Sequence, residues 1–210
     1  MEAFTHLTSL AAPLQRANID TDIIIPMDRY LTAEREEMHA YAFETLRFLP
    51  NGAENPDFIL NQTAFRGAKI LVTGANFGCG SSRESAVWAL HGLGIRCIIA
   101  PSFGNIFYNN CFQNGLLPIT LNEPEFTQLL DQVDAAHARP FEINLERQQI
   151  NSPDGEALAF DIDERRQTQL LQGLDDIGAT LTRLTDIKTH RQNDERNRPW
   201  IYMTPDDPRF

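Results

Sequence analysis

Short apolar runs and apolar stripes of helical period divide the chain into blocks. Phe4 to Leu14 is short and apolar and predicts a strand. Asn18 to Pro26 reads as a polar turn entering an apolar run, Ile23-Ile24-Ile25, stopped by the proline. Asp20 and Asp22 lie two residues apart, which on an extended chain puts both on one side. Thr32 is the expected N-cap of a helix reaching about Leu49, because Met38, Ala42, Leu46 and Leu49 recur at helical spacing. Asn51 to Pro56 is a loop of Asn, Gly and Pro.

From Lys69 the rhythm alternates. Lys69-Ile-Leu-Val-Thr is a strand, Glu84 to Leu93 a helix, and Ile95 to Ala100 a buried-type strand. Phe103 to Phe112 predicts a helix, Leu116 to Leu121 a strand, and Glu123 to Ala136 a helix with acidic residues in its first turn. Strands alternating with helices argue for a mainly parallel α/β sheet flanked by helices. After Arg139 the period changes to two. Phe141, Ile143 and Leu145, a turn at Ser152 to Gly155, then Leu158, Phe160 and Ile162 predict a hairpin. A helix from about Asp163 carries Leu170, Leu171, Leu174 and Ile177 as an apolar stripe expected to face the core. The pattern predicts one domain over residues 1–187. Residues 188–210 form a charged, Pro-rich tail, loosely ordered or laid on a partner surface.

Composition narrows the function classes. The 210 residues are 42% hydrophobic, enough for a proper core. A net charge of −11 argues against nucleic acid or an anionic membrane as partner. No apolar run approaches the ~20 residues of a transmembrane helix. Cys79, Cys97 and Cys111 are odd in number and widely spaced, which points to reduced thiols in a cytoplasmic protein. The histidines form no metal-ligand spacing, and the cysteines no iron–sulfur set.

The candidate chemistry concentrates in Gly74-Ala-Asn-Phe-Gly-Cys-Gly-Ser-Ser-Arg-Glu84. A strand, a Gly-rich turn and a helix start together aim N–H groups and a positive dipole end at an anion. Gly78 and Gly80 suit φ > 0 and close backbone approach to a ligand. Ser81, Ser82 and Arg83 are expected at the first helical positions, offering two hydroxyls and a guanidinium to a carboxylate or phosphate. The dinucleotide fingerprint G-x-G-x-x-G fails, since its third glycine falls on Arg83, and no lysine makes this a P-loop. An ordinary turn with Ser81 as a helix cap stays open. For Asp20 an Asx-type cap is the expected role.

The stretch G-x-N-F-G-x-G-S-S-R-E resembles the signature of the aconitase-family swivel domain. Two companions support this: Asn18-Ile-Asp-Thr-Asp22 through Pro26 with Arg29-Tyr-Leu31, and Ala100-Pro-Ser-Phe-Gly-Asn-Ile-Phe107 with Gly115-Leu-Leu-Pro118. In order and length the chain is similar to the small-subunit family of isopropylmalate dehydratases. The resemblance implies a swivel-type α/β fold with a hairpin and a C-terminal helical extension. It implies half of a heterodimeric hydro-lyase, inactive alone, that interconverts 2- and 3-isopropylmalate through isopropylmaleate in leucine biosynthesis. In that family a 4Fe-4S cluster resides in the large subunit, so no cofactor is expected on this chain. Carried onto this sequence, Ser81 matches the base, Arg83 a clamp on a substrate carboxylate, and Ser82 and Asp22 positions lining the site. Tyr30, Leu31, Thr32 and Ala33 match the segment contacting the substrate's variable group. Ile24, Ile25, Leu31 and Ala33 are expected to form an apolar wall for an isopropyl substituent. Arg29 is a candidate for a further family arginine. Two alternatives stand beside this reading: a related small subunit acting on citraconate or homoaconitate, and a free-standing anion- or nucleotide-binding domain.

Overall fold

The computed structural model describes residues 1 to 202. A parallel sheet is built from β2 (Ala11–Leu14), β3 (Ile70–Thr73), β4 (Cys97–Ala100) and β5 (Leu117–Thr120), in that spatial order. The sequence explains the order. Pro13 and Pro118 lack an N–H for the ladder, and both sit in edge strands, whereas the uninterrupted Ile-Leu-Val-Thr and Cys-Ile-Ile-Ala runs are central. A second, antiparallel sheet joins β1 (His6–Ser9), β6 (Phe141–Asn144), β7 (Gln149–Asn151) and β8 (Ala157–Ala159).

The expected single strand over Phe4 to Leu14 is therefore two strands serving two sheets. The expected hairpin is a three-stranded meander. Gln149–Asn151 was hidden because one apolar residue, Ile150, sits among polar neighbours, and Gln148 turns the chain at φ 53°.

Alternation along β3 and β4 divides the core between the two faces of the parallel sheet. Ile70, Val72, Cys97 and Ile99 pack toward Leu129 and Val133 of α6 (Glu123–Ala136) and the inner face of the antiparallel sheet. Leu71, Ile98 and Ala100 pack toward Ala86, Val87, Ala89 and Leu90 of α4 (Ser85–Gly92), with Ile24 and Phe43. The start of α6 is secured by a capping box, Asn122 with Glu125, that satisfies two otherwise orphan N–H groups.

The long helix expected from Thr32 does not form. Thr32 instead ends α2 (Met27–Thr32), a 3-10 turn runs over Arg35–Tyr41, and α3 (Glu44–Arg47) is a single turn. Ala42 and Phe43 are both fully buried. Phe43 enters the left-handed region at φ 54°, and its N–H donates to Ile24 O at 2.8 Å in place of a helical partner.

The helix expected from Asp163 is α7 (Glu164–Gln172), capped by the Asp163 carboxylate and ended by Gly173 at φ 67°. Leu170 is buried, but Ile177 lies in a separate helix, α8 (Asp176–Leu181), and is 71% exposed, so the stripe does not continue as core. The chain divides into two compact units with the break after Leu174. The second contains α8, α9 (Leu184–Asn197) and a 3-10 turn at Pro199–Ile201. Residues 203–210 of the expected tail lie outside the described residues.

Candidate active site at the carboxyl edge of the parallel sheet

The three sequence motifs follow β2, β3 and β4, so the sheet order sets them side by side beyond its carboxyl edge. That is where open α/β sheets bind ligands. The middle segment is zipped to both neighbours. On one side Asn18 N–H donates to Ala75 O at 2.9 Å, Gly78 N–H to Ile19 O at 2.7 Å, and Thr21 N–H to Cys79 O at 3.0 Å. On the other, Phe77 N–H donates to Ser102 O at 3.1 Å and Gly104 N–H to Phe77 O at 2.8 Å. Side chains add to this: Asn76 Nδ2 donates to Asn18 Oδ1 at 2.8 Å, and Asn76 N–H to Ser102 Oγ at 2.8 Å.

Gly78 is required by packing more than by a ligand. At φ 70° a Cβ there would meet the Phe107 ring at 2.2 Å, and the expected close approach is to α5 (Asn105–Gln113). Gly80, at φ 91°, would set a Cβ in ordinary contact with Asp20 Cβ at 3.4 Å, so it supplies conformation alone. Gly78→Ala is expected to lower stability by about 2–5 kcal/mol through strain and overpacking. A denaturant midpoint that falls at unchanged slope would verify this, and an unchanged midpoint would refute it.

Ser81, Ser82 and Arg83 do not occupy helical positions. They form an irregular bridge before α4, whose N-cap is Glu84. Ser81 therefore does not cap this helix, and its hydroxyl stands exposed. Thr21, buried between the two aspartates, holds the bridge through Thr21 Oγ1 donating to Ser81 O at 3.1 Å. Among the described residues, the N–H groups from Gly80 to Glu84 meet no protein acceptor, leaving donors around the serine pair.

Asp20 and Asp22 take different tasks: Asp20 is extended backbone just before a helical turn, and Asp22 lies within that turn. Asp20 caps α1 (Thr21–Ile24), accepting from Ile23 N–H at 2.8 Å, as expected. Asp22 turns outward and meets Arg83 end-on, with Nη1 to Oδ1 at 2.5 Å and Nη2 to Oδ2 at 3.1 Å. The Arg83 side chain is 9% exposed and that of Asp22 54%. A guanidinium has a second bidentate edge, Nε with one Nη, so this pairing fixes the fork and leaves a carboxylate-binding edge.

Tyr30, Leu31 and Thr32 lie on α2, with Ala33 its C-cap. Leu31 is 67% exposed, with Met27 and Tyr30 also exposed. Ile24 and Ile25 are fully buried in the core and so are not exposed to form an apolar wall; the exposed apolar side chains on α2 are Met27, Tyr30 and Leu31. Arg29 is paired along its Nε edge. It forms a two-toothed pair with Glu44 at 2.9 and 2.8 Å and lies over the Tyr41 ring, and the Glu44 hydrogen bond holds its guanidinium above its usual pKa.

The cysteines do not suit an iron–sulfur centre. Cys97 and Cys111 are buried in the core, where desolvation pushes both thiols up. Among the described residues no group of three or more His, Cys, Asp or Glu side chains comes together, and no helix is long and apolar enough to cross a membrane.

Known proteins resemble this chain over most of its length. The family model for the aconitase C-terminal domain matches residues 1–124, and a model described as LeuD_N matches residues 127–164. The 3-isopropylmalate dehydratase small subunit of Rhodospirillum rubrum is 53% identical over 201 residues, covering 96% of this chain and 97% of its own length. That of Parvibaculum lavamentivorans is 48% identical, with coverage of 96% and 100%. Among solved structures, 3-isopropylmalate dehydratase from Methanocaldococcus jannaschii aligns with a TM-score of 0.62 at 25% identity, over 89% of this chain and 99% of that one.

Proposed function

Because this chain belongs to the aconitase-related family of 3-isopropylmalate dehydratase small subunits, it is half of a hydro-lyase, and we propose that Ser81 and Arg83 are its chemical contribution. The substrates are 2- and 3-isopropylmalate, related through isopropylmaleate. The relatives favour neither the citraconate and homoaconitate alternatives nor a free-standing nucleotide binder. The carrying observation is an exposed Ser81 hydroxyl beside the fixed Arg83 fork, among backbone donors, at the carboxyl edge of the sheet.

Ser81 Oγ takes the carbon-bound proton next to a substrate carboxylate as the hydroxyl leaves the adjacent carbon, giving isopropylmaleate. Water then adds in the opposite sense, and Ser81 delivers the proton to the carbon that lost the hydroxyl. A serine hydroxyl is a poor base in water. Backbone donors, the adjacent cation and exclusion of water lower the cost of its alkoxide. The first two are present here. The third requires another chain, since Ser81 and Ser82 are exposed. Arg83 binds a substrate carboxylate through its remaining edge, Ser82 adds a hydroxyl, and Asp22 keeps the fork oriented. Leu31, Met27 and Tyr30 offer the apolar surface an isopropyl group needs. The donor set of this chain does not fit a 4Fe-4S cluster, so Lewis-acid chemistry belongs to the large subunit, in keeping with the family. Three free thiols suit a cytoplasmic setting.

The isolated chain is expected to fold, carry no iron and show no dehydratase activity. Mixing with the cluster-bearing subunit under reducing, oxygen-free conditions should produce turnover. Dehydration of isopropylmalate by this chain alone would refute the division of labour.

A further inference from the structure

Asn114, at the C-cap of α5, touches neither Ser81 nor Arg83, yet its amide ties together the segments on both sides of the site. Its Oδ1 accepts from Trp88 Nε1 at 3.0 Å and from Arg35 Nη2 at 3.2 Å. Its Nδ2 donates to Glu84 Oε1 at 2.8 Å and to Asn110 O at 2.9 Å. Indole and guanidinium nitrogens only donate, whereas a carboxylate and a carbonyl only accept, so one amide orientation satisfies all four partners. The Arg35 guanidinium also lies 4.5 Å from the Trp88 ring centroid.

Those partners lie beside the proposed chemistry. Glu84 directly follows Arg83, and Trp88 is one turn along α4. Arg35 begins the 3-10 turn two residues after Ala33, at the end of the segment assigned to the substrate's alkyl group. We propose that Asn114 is a positioning residue that locks the Ser81–Arg83 bridge to the Tyr30–Ala33 segment, so that proton transfer and alkyl recognition share one geometry. The inference rests on the assignment of Ser81 and Arg83 above. A side-chain amide suits this task because it joins an anionic and a cationic arm through one planar group. Neither a carboxylate nor a hydroxyl in its place has both two donors and a two-lone-pair acceptor for these partners.

The test uses the complex reconstituted with the large subunit. Asn114→Asp keeps the acceptor for Trp88 and Arg35 but turns an anion toward Glu84. It should lower kcat about 10- to 100-fold, as loss of fine positioning does, with a smaller change in KM. Adding Glu84→Gln restores a donor across that gap and should recover most of the loss. Arg35→Met breaks the other arm, so the ratio of kcat/KM for 3-isopropylmalate over 2-methylmalate should fall several-fold, with the melting temperature close to wild type. Wild-type kcat in Asn114→Asp, no rescue by Glu84→Gln, or an unchanged substrate ratio in Arg35→Met would each overturn the proposal. Should Asn114→Asp fail to fold, Trp88→Phe and Arg35→Met, which spare the Glu84 link, decide through the same substrate ratio. Ser81→Ala, run alongside, separates the two levels: if it retains turnover, the site assignment has failed, not merely its coupling to Asn114.

Discussion

Replacing Ser81 with alanine is expected to reduce turnover by about 10²–10⁴-fold, the usual contribution of a positioned acid–base group. This corresponds to ~3–5 kcal/mol of barrier. Stability should change by no more than about 0.5 kcal/mol, the range for exposed positions without special contacts. The structure sharpens this contrast. A capping serine would cost about 0.5–2 kcal/mol on removal, but Ser81 lies before Glu84, the N-cap of α4. What ties Ser81 down is its backbone carbonyl, held by Thr21, and alanine keeps that carbonyl. Loss of melting temperature with retained activity would return Ser81 to a structural role.

The second large effect is expected at Arg83. Arg83→Lys keeps the charge but loses both planar edges, so it can neither face Asp22 end-on nor grip a second carboxylate side-on. Hydrogen bonds to charged groups contribute ~1.5–3 kcal/mol, so kcat/KM should fall about 10- to 100-fold. Asp22→Asn provides the control. If Arg83 serves only the ion pair, both variants should melt lower together while catalytic efficiency survives. If Arg83 holds substrate, Arg83→Lys should lose far more efficiency than Asp22→Asn.

Much of this site was legible because its chemistry lies in contiguous words. Strand-length apolar runs before each motif predicted parallel strands, and parallel order alone places the three following segments together. Asp20 capped α1 as its residue type suggested. Several features were not legible because they depend on contacts distant in sequence. The Asp22–Arg83 pairing joins residues 61 positions apart, and nothing local marks it. The break of the expected 32–49 helix arises from Phe43 bonding to Ile24, a tertiary contact that overrides a correct helical period. Ile24 and Ile25 look alike for an apolar wall and for a core, and only the packed structure assigns them to the core. Thr21 and Asn114 were overlooked for a related reason: each acts by holding another residue. For Thr21 the signal was its place between two aspartates of a functional word. Asn114 had no such signal.

The most direct test of Ser81 as the base follows the proton itself. The reconstituted complex, incubated with 3-isopropylmalate in deuterated water, should incorporate deuterium at the carbon from which the proton is removed. The Ser81→Ala complex should not, although it folds and still binds substrate. Incorporation at the wild-type rate in that variant would contradict the account and place the base on another residue.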